Sequence, residues 1–155
     1  MKIIEGDLLK LAQQGEFDII VQGCNCFNTM GSGLAKQIKQ QYPDAYVVDK
    51  RTISGDINKL GTYTIMFGET FDIVNAYTQY NYNTNGDKKD LFEYTAFELI
   101  LQKLAIQFPD SHFGFPMIGC GLAGGSKSRI LSMLERFHWV IEKTGGSVTV
   151  VEFAV

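Results

Sequence analysis

Short β-branched and aromatic runs alternate with helical patterns along this 155-residue chain, and this alternation constrains its fold more than any other feature. The strand-like runs are KIIE, FDIIVQG, TYTIMF, FDIVNAYTQ, HFGFPMIG and SVTVVEF. The helical patterns are GDLLKLAQQG, GLAKQIKQQYP, DLFEYTAFELILQKLAIQF and SKSRILSMLERFHWVIEKTGG, with a further helical turn in DAYVVDKRT. Such alternation predicts one α/β domain over residues 1–155, with a mixed, mostly parallel central sheet covered by helices on both faces. The doubly apolar strands DIIV and DIVNA are expected at central positions, and Trp139 is expected to pack in the core.

Composition limits the classes of function. The net charge of −3 argues against a protein that binds duplex nucleic acid, although backbone groups could still bind a small anion. No apolar stretch reaches 18 residues, so no membrane span is predicted, and MKIIEGDLLK is typical of a first strand rather than a signal peptide. Three cysteines without metal-like spacing suit a reducing, cytoplasmic location and predict no metal site. A monomer is expected.

Two glycine-rich loops, each between a strand and a helix, are the main functional signal. Residues 31–33 (GSG) follow FDIIVQG, and residues 119–125 (GCGLAGG) follow FGFPMI. In an open α/β sheet such loops lie beyond the carboxyl ends of the strands, where ligands bind. Glycine permits close approach, and the free amides of a helix N-terminus attract anions. The loops are therefore predicted to hold one ligand with phosphates between them; the alternative is that they are only tight turns.

Two known phosphate-binding motifs match the second loop only superficially. Residues 119–124 fit the dinucleotide pattern G-x-G-x-x-G, but a single strand remains after them, and that motif needs a following unit with an acidic residue. Residues 121–128 approach the nucleotide triphosphatase loop, but Ser126 replaces its second glycine and no later strand could supply a magnesium-binding aspartate.

Four segments together resemble the macrodomain, a fold that binds ADP-ribose. They are IIEGDLL, VQGCNCFNTMGSGLAKQI, DIVNAYTQY and PMIGCGLAGGS, which span nearly the whole chain. The pattern is most similar to small single-domain proteins described as ADP-ribose-1''-phosphate phosphatases. The resemblance implies a three-layer α/β/α fold, hydrolysis of ADP-ribose-1''-phosphate to ADP-ribose and phosphate, and no cofactor or metal. Two alternatives remain open: an ADP-ribose reader without catalysis, or a hydrolase acting on ADP-ribosylated protein or nucleic acid.

The resemblance also implies roles for matching residues at the adenine end of the ligand. Asp7 would accept a hydrogen bond from the adenine amino group, with the Leu8 amide beside it, and Phe153 would flank the ring. A helix N-cap is the alternative role for Asp7, and a core position is the alternative for Phe153.

At the other end of the ligand, Asn25 would hold hydroxyls of the distal ribose; its alternative role is that of a strand-end turn residue. Asn75, Thr78 and Gln79 would line the same side, and Asn25 and Gln79 are the candidate catalytic residues, acting on a bound water. The residues expected around the distal ribose and its phosphate are Gly31, Ser32, Gly33 and Leu34. Those expected to cradle the pyrophosphate are Gly119, Cys120, Gly121, Leu122, Ala123, Gly124 and Gly125.

Departures from the branch that cleaves glutamyl-linked ADP-ribose concern two positions. That branch has an aspartate after Gly-Cys-Gly-Leu, where this chain has Ala123, and a lysine after the central strand, where this chain has Gln79 or Tyr80. The nearest lysines after that position, Lys88 and Lys89, lie further along the sequence. Asp90 and Glu93 are weak candidates for a general base, because carboxylates at a helix start usually interact with the helix dipole.

Overall fold

Strands and helices alternate as expected in the computed structural model, which describes residues 1–82 and 91–153. The elements are β1 (Lys2–Gly6), α1 (Leu8–Gln13), β2 (Ile19–Cys24), α2 (Gly33–Gln41), α3 (Pro43–Lys50), β3 (Tyr63–Met66), β4 (Asp72–Tyr77), α4 (Tyr94–Gln107), β5 (His112–Phe115), α5 (Lys127–Glu142) and β6 (Ser147–Phe153). Each strand-like run of the sequence forms a strand. The segment predicted to form one helical turn is instead the full helix α3.

Proline and backbone pairing set two helix boundaries. Pro43 separates α2 from α3 and occupies the first turn of α3, where the missing N–H costs nothing. Helix α4 begins at Tyr94, later than the pattern from Asp90 suggested; Asp90 itself lies outside the described residues. Leu91 and Phe92 stay out of the helix because their amides both donate to Ala123 O, at 2.8 and 3.2 Å. The segment before α4 is thereby joined to the second glycine loop.

The six strands form one sheet in the order β1-β6-β5-β2-β4-β3. Every neighbouring pair is parallel except β3 and β4, which are antiparallel. The predicted mixed, mostly parallel sheet is therefore confirmed, and β2 and β4 occupy interior positions as expected. Because five strands run the same way, their carboxyl ends and the loops that follow lie along one edge of the sheet.

Two apolar layers cover the sheet and make the fold three-layered. Helices α4 and α5 pack on one face, through residues such as Phe97 and Leu134. Helices α1, α2 and α3 pack on the other, where Leu9, Ile38 and Ala45 are buried. No helix in the described ranges is long and apolar enough to cross a membrane.

Trp139 does not pack in the core, so that expectation was wrong. Its side chain is 62% exposed, and Lys143 Nζ lies 3.3 Å from the ring centroid. The buried side of α5 consists of residues at helical spacing, which are Ile130, Met133, Leu134, Phe137 and Ile141. Trp139 falls outside this stripe because neither three- nor four-residue steps connect it to these positions.

Candidate ligand-binding site

A cleft of about 790 Å³ opens at the carboxyl ends of β2, β4 and β5. We call it the central cleft. Its lining comes from residues 22–25, 29 and 31–35 at the end of β2, from residues 78, 79 and 82 after β4, and from residues 116–119 and 121–123 after β5. The structure thus brings residues of both glycine loops to one cavity.

The side chain of Asn25 lines the cleft and also braces the first loop. Its Oδ1 accepts from the Phe27 amide at 2.8 Å, and its Nδ2 donates to Thr29 Oγ1 at 2.6 Å. Asn25 is only 8% exposed. Its orientation is therefore fixed before any ligand arrives, and one N–H of the amide remains for a ligand.

Lys59 anchors the loop that follows β2, a role that no sequence pattern predicts. The buried ammonium donates to Cys26 O at 2.9 Å, Asn28 Oδ1 at 2.6 Å and Ile53 O at 3.1 Å. These three acceptors use all three N–H bonds of the group. No motif links a lysine in the loop before β3 to a loop more than 30 residues earlier, so only the folded structure identifies it.

Helix α2 begins at the cleft. Ser32 occupies its N-cap position but makes no hydrogen bond from its side chain to the first turn, so the side chain satisfies none of the amides there. A Cβ built at Gly31 or Gly33 would meet no atom of the described residues within 4 Å, and Gly33 has φ of +56°. Glycine is needed at position 33 for this conformation, and both positions leave room for a ligand.

The second loop is shaped by internal hydrogen bonds. The amide of Gly125 donates to Gly119 O at 2.7 Å, that of Gly124 to Gly121 O at 3.1 Å, and that of Cys120 to Met117 O at 3.4 Å. Cys120, Gly124 and Gly125 are not among the residues that line the cleft. Because the amides of these three residues already donate within the turn, they are not available to a ligand. The predicted pyrophosphate cradle can therefore involve only the other residues of the loop.

The remaining residues of the second loop face the cavity: Gly119, Gly121, Leu122 and Ala123. A Cβ at Gly121 would have no atom within 4 Å in the part of the chain that the structure describes, whereas one at Gly119 would lie 2.3 Å from the Phe92 ring. Packing and a φ of +76° therefore require glycine at position 119. At position 121 glycine is not needed by the fold and only leaves space open in the cleft.

Two buried polar atoms at the cleft floor, Gln22 Oε1 and Thr78 Oγ1, have no hydrogen-bond partner among residues 1–82 and 91–153. Both residues are at most 2% exposed and line the cleft. Between them, Gly23 permits close packing, since a Cβ there would lie 3.0 Å from Thr78 Oγ1. Buried polar atoms are nearly always paired in folded proteins, so unpaired ones at a cleft floor indicate a place where a polar ligand group or water binds.

Charge is absent from the described residues that line the cleft, which include no Asp, Glu, Lys, Arg or His. Burial raises the pKa of the Cys24 thiol, so this cleft-lining cysteine stays protonated and is a poor nucleophile. Within residues 1–82 and 91–153 no cluster of three His, Cys, Asp or Glu side chains is placed to hold a metal ion. Binding of an anion here would depend on backbone amides and neutral side chains.

Comparisons with known proteins identify the fold. No family model matches the sequence. An uncharacterized 17.5 kDa protein from the tk-vs intergenic region of Enterobacteria phage T4 is 32% identical over 153 residues, covering 92% of each chain. Among solved structures, a protein of unknown function from Bacteroides thetaiotaomicron is similar with a TM-score of 0.77 at 22% identity, covering 97% of this chain and 96% of the other.

The macrodomain of Thermus aquaticus DarG is similar with a TM-score of 0.71 at 18% identity, covering 97% of this chain and 96% of the other. The chain has the macrodomain fold. A structure of Thermosipho africanus DarTG in complex with ADP-ribose has the same TM-score of 0.71 at 20% identity; the match covers 98% of this macrodomain but 42% of that longer chain.

The residues expected at the adenine end of this macrodomain lie outside the central cleft but along the same edge of the sheet. Gly6 at the end of β1 is in register with Phe153 at the end of β6. Strands β1 and β2 are three strand spacings apart, about 14 Å. Asp7 caps α1, its Oδ1 accepting from the Lys10 amide at 3.2 Å, and the Leu8 side chain is buried. Phe153 is 68% exposed, so it is not a core residue.

Asn75 is not in the cleft of this macrodomain, contrary to expectation. It lies within β4, is fully buried and donates from Nδ2 to Ala45 O at 3.0 Å. Gln79 does line the cleft, and its Nε2 donates to Asn81 O at 2.8 Å. Tyr80 instead points away, its hydroxyl donating to Gly55 O at 2.8 Å.

The remaining candidates do not contribute to the described cleft. Glu93 is the N-cap residue of α4 without a side-chain cap bond and does not line it. Lys88, Lys89 and Asp90 lie outside the described residues.

Proposed function

We propose that this macrodomain binds ADP-ribose in the central cleft and hydrolyses ADP-ribose-1''-phosphate to ADP-ribose and phosphate. The observation that carries the proposal is the meeting of the two glycine loops around one cavity, whose described lining residues carry no charge. The ADP-ribose complex of Thermosipho africanus DarTG, a structural neighbour, supports the same ligand class.

The phosphates would be bound by amides rather than by cations. The first turn of α2 lines the cleft, so its free amides would be available to an anion there, and the positive end of the helix dipole favours negative charge. Gly121 and Gly31 leave open space on the two loops, so a diphosphate can approach the backbone closely. This arrangement explains how a chain with a net charge of −3 could hold a polyanion.

The ligand would extend from the central cleft towards Asp7 and Phe153. The three strand spacings between β2 and β1 require an elongated ligand, and a diphosphate flanked by two nucleoside-like ends has that form. In this placement the exposed Phe153 ring flanks adenine, and the Asp7 carboxylate accepts from its amino group.

In the hydrolytic step, a water attacks the phosphorus of the 1''-phosphate, the bond between phosphorus and O1'' breaks, and O1'' takes up a proton. Asn25 would position the distal ribose with its remaining N–H, because its other contacts fix it in the loop. Gln79 would orient the water, and the amides of the first turn of α2 would stabilise the negative charge that develops on the phosphoryl oxygens.

One observation favours the alternative of ADP-ribose binding without catalysis. The described cleft residues offer no side chain that titrates near neutral pH as a general base. For the third alternative, hydrolysis of ADP-ribosyl bonds on a modified macromolecule, cleavage of glutamyl-linked ADP-ribose is disfavoured. This chain has Ala123 where the glutamyl-specific branch has its aspartate, and Gln79 or Tyr80 where that branch has its lysine.

The test combines calorimetric titration with ADP-ribose and a phosphate-release assay with ADP-ribose-1''-phosphate. We expect wild type to bind, and Gly121→Glu to lose binding while staying folded, because its side chain enters open cleft space. Ile106→Glu adds the same charge at a residue that is 80% exposed and outside the cleft, and should bind as wild type does. Tight binding by Gly121→Glu would contradict the placement of the diphosphate.

Phosphate release distinguishes the enzyme from the reader. Release by wild type and not by Asn25→Ala supports the proposed hydrolysis. If wild type binds ADP-ribose but releases no phosphate, the protein is a binding module without catalysis. If it does not bind ADP-ribose at all, the whole proposal is overturned.

A further inference from the structure

A chain of hydrogen bonds runs through the sheet from the buried Asp49 on α3 to the floor of the central cleft. Tyr77 donates its hydroxyl to Asp49 Oδ1 at 2.7 Å, and the same hydroxyl oxygen lies 3.0 Å from Thr64 Oγ1. Asn75 Nδ2 donates to Thr64 Oγ1 at 3.1 Å, and Gln22 Nε2 donates to Asn75 Oδ1 at 2.8 Å. Side chains from α3, β3, β4 and β2 are thus joined in series.

Two groups that can only accept, the Asp49 carboxylate and the Ala45 carbonyl, fix the donor and the acceptor of every bond in this series. A carboxylate can only accept, so Tyr77 donates to Asp49 and its oxygen accepts from Thr64. The Thr64 oxygen must then accept from the Asn75 amide nitrogen. Ala45 O, a backbone carbonyl, can also only accept, and it lies 3.0 Å from the same nitrogen. Both constraints give the Asn75 amide one orientation.

The orientation of Gln22 follows from that of Asn75. Because Asn75 Oδ1 faces Gln22, the Gln22 amide must turn its nitrogen towards Asn75 and its oxygen away. The second N–H of Gln22 has Met30 Sδ at 3.9 Å, a weak acceptor. Gln22 Oε1 is left without a partner, although the residue is 2% exposed and lines the cleft. The protein therefore presents a pre-oriented, buried acceptor at the cleft floor.

We propose that Gln22 determines specificity in the central cleft: its Oε1 accepts a hydrogen bond from a hydroxyl group of the distal ribose. This inference rests on the proposed binding of ADP-ribose. An amide oxygen selects a hydroxyl donor over a deprotonated phosphate, which has only acceptors. The sugar is thus fixed by its hydroxyl, and any phosphate on it is directed towards the glycine loops, where backbone amides donate.

The experiment is a thermodynamic double-change cycle, which combines one substitution in the protein with the removal of one hydroxyl group from the ligand. Binding of ADP-ribose, and of three analogues that each lack one distal-ribose hydroxyl, is titrated against wild type and Gln22→Met. Removal of the hydroxyl that contacts Gln22 should weaken binding to wild type by about 3- to 10-fold, the effect of one neutral hydrogen bond. The same removal should leave binding to Gln22→Met unchanged.

Thr64→Val is the matched control, because it interrupts the same chain at a residue outside the cleft. It should keep the full discrimination against the sensitive analogue. A Gln22→Met variant that loses the same factor for every ligand, or that still discriminates among the analogues, overturns the inference while leaving ADP-ribose binding intact. Failure of wild type to bind ADP-ribose overturns the proposed function itself, and this inference with it.

A crystal structure of wild type with ADP-ribose decides the matter if Gln22→Met does not fold. A ligand hydroxyl within about 3.2 Å of Gln22 Oε1 supports the inference. An Oε1 that makes no hydrogen bond to the bound ligand overturns it.

Discussion

Lys59 Nζ lies 2.6 Å from Asn28 Oδ1, and this contact joins the loop after β2 to the segment before β3. Asn28 has φ of +60°, a conformation that few residues other than glycine adopt. Its Nδ2 also donates to Thr52 O at 3.1 Å. A buried cation and a left-handed asparagine therefore set the path of the chain between Asn25 and the start of α2, which is one wall of the central cleft.

Replacement of Lys59 by methionine should lower the free energy of unfolding by about 2–4 kcal/mol, because three acceptors lose a charged donor while most of the side-chain volume remains. Chemical denaturation measures the change. Lys103→Met is the control: Lys103 is an exposed lysine that donates to one carbonyl, Gly61 O, and its loss should cost less than about 1 kcal/mol. Equal effects of the two substitutions would contradict the anchoring role of Lys59.

The second glycine loop should show unequal sensitivity to alanine. Gly119→Ala should lower the free energy of unfolding by about 2–4 kcal/mol, since its Cβ would lie 2.3 Å from Phe92 and its φ of +76° disfavours a side chain. Gly121→Ala, two residues away, meets no atom and should be nearly neutral. Thermal unfolding of the two variants measures the difference, and a Gly119→Ala protein as stable as Gly121→Ala would show that the loop is not packed in this way.

The architecture was predictable because each strand and helix carries its own periodic signal. The apolar runs that became β2 and β4 indicated interior strands, and the helical spacing within residues 94–107 indicated α4. The glycine loops were predictable for the same reason, since a strand, a small-residue run and a helix follow each other along the sequence. Family resemblance added roles for individual residues, including Asp7 and Phe153.

Long-range side-chain contacts were not predictable. Asn75 was predicted to line the ligand site because it belongs to a polar cluster at the end of FDIVNAYTQ. In the sheet it is instead in register with Gln22, and its side chain bonds to Gln22 in the interior. Lys59 carried no signal because the two partners that connect it to the loop after β2, Cys26 and Asn28, are more than 30 residues away in sequence. Trp139 was assigned to the core by hydrophobicity alone, although its position in α5 lies off the buried stripe.

Thr78 and Thr64 should respond in opposite ways to replacement by valine, which has nearly the same shape. Thr78 Oγ1 is buried without a partner, so Thr78→Val should keep or raise the melting temperature while weakening ADP-ribose binding about 3- to 10-fold. Thr64 Oγ1 bonds to Asn75 and Tyr77, so Thr64→Val should cost about 1–2 kcal/mol of stability. Thermal unfolding and titration calorimetry test the pair. A marked loss of stability in Thr78→Val would mean that its hydroxyl has an internal partner.

The buried Asp49 should make stability fall as pH rises. Burial raises the pKa of its carboxyl group above the ordinary value of 3.8, an effect that the hydrogen bond from Tyr77 and the nearby Lys59 only partly offset. Between 3.8 and the raised pKa the folded state binds more protons than the unfolded state, so the contribution of Asp49 to stability is lost as pH increases through that window.

Asp49→Asn removes this titration while keeping an oxygen that can accept from Tyr77. The free energy of unfolding of Asp49→Asn, relative to wild type, should therefore rise as the pH is raised from about 4 to about 7. Urea denaturation at several pH values measures the difference. Asp44→Asn serves as the control, because it removes the same charge at an exposed position in the first turn of the same helix. A difference for Asp49→Asn that stays flat or falls with pH would show that burial does not control the ionisation of this carboxyl group.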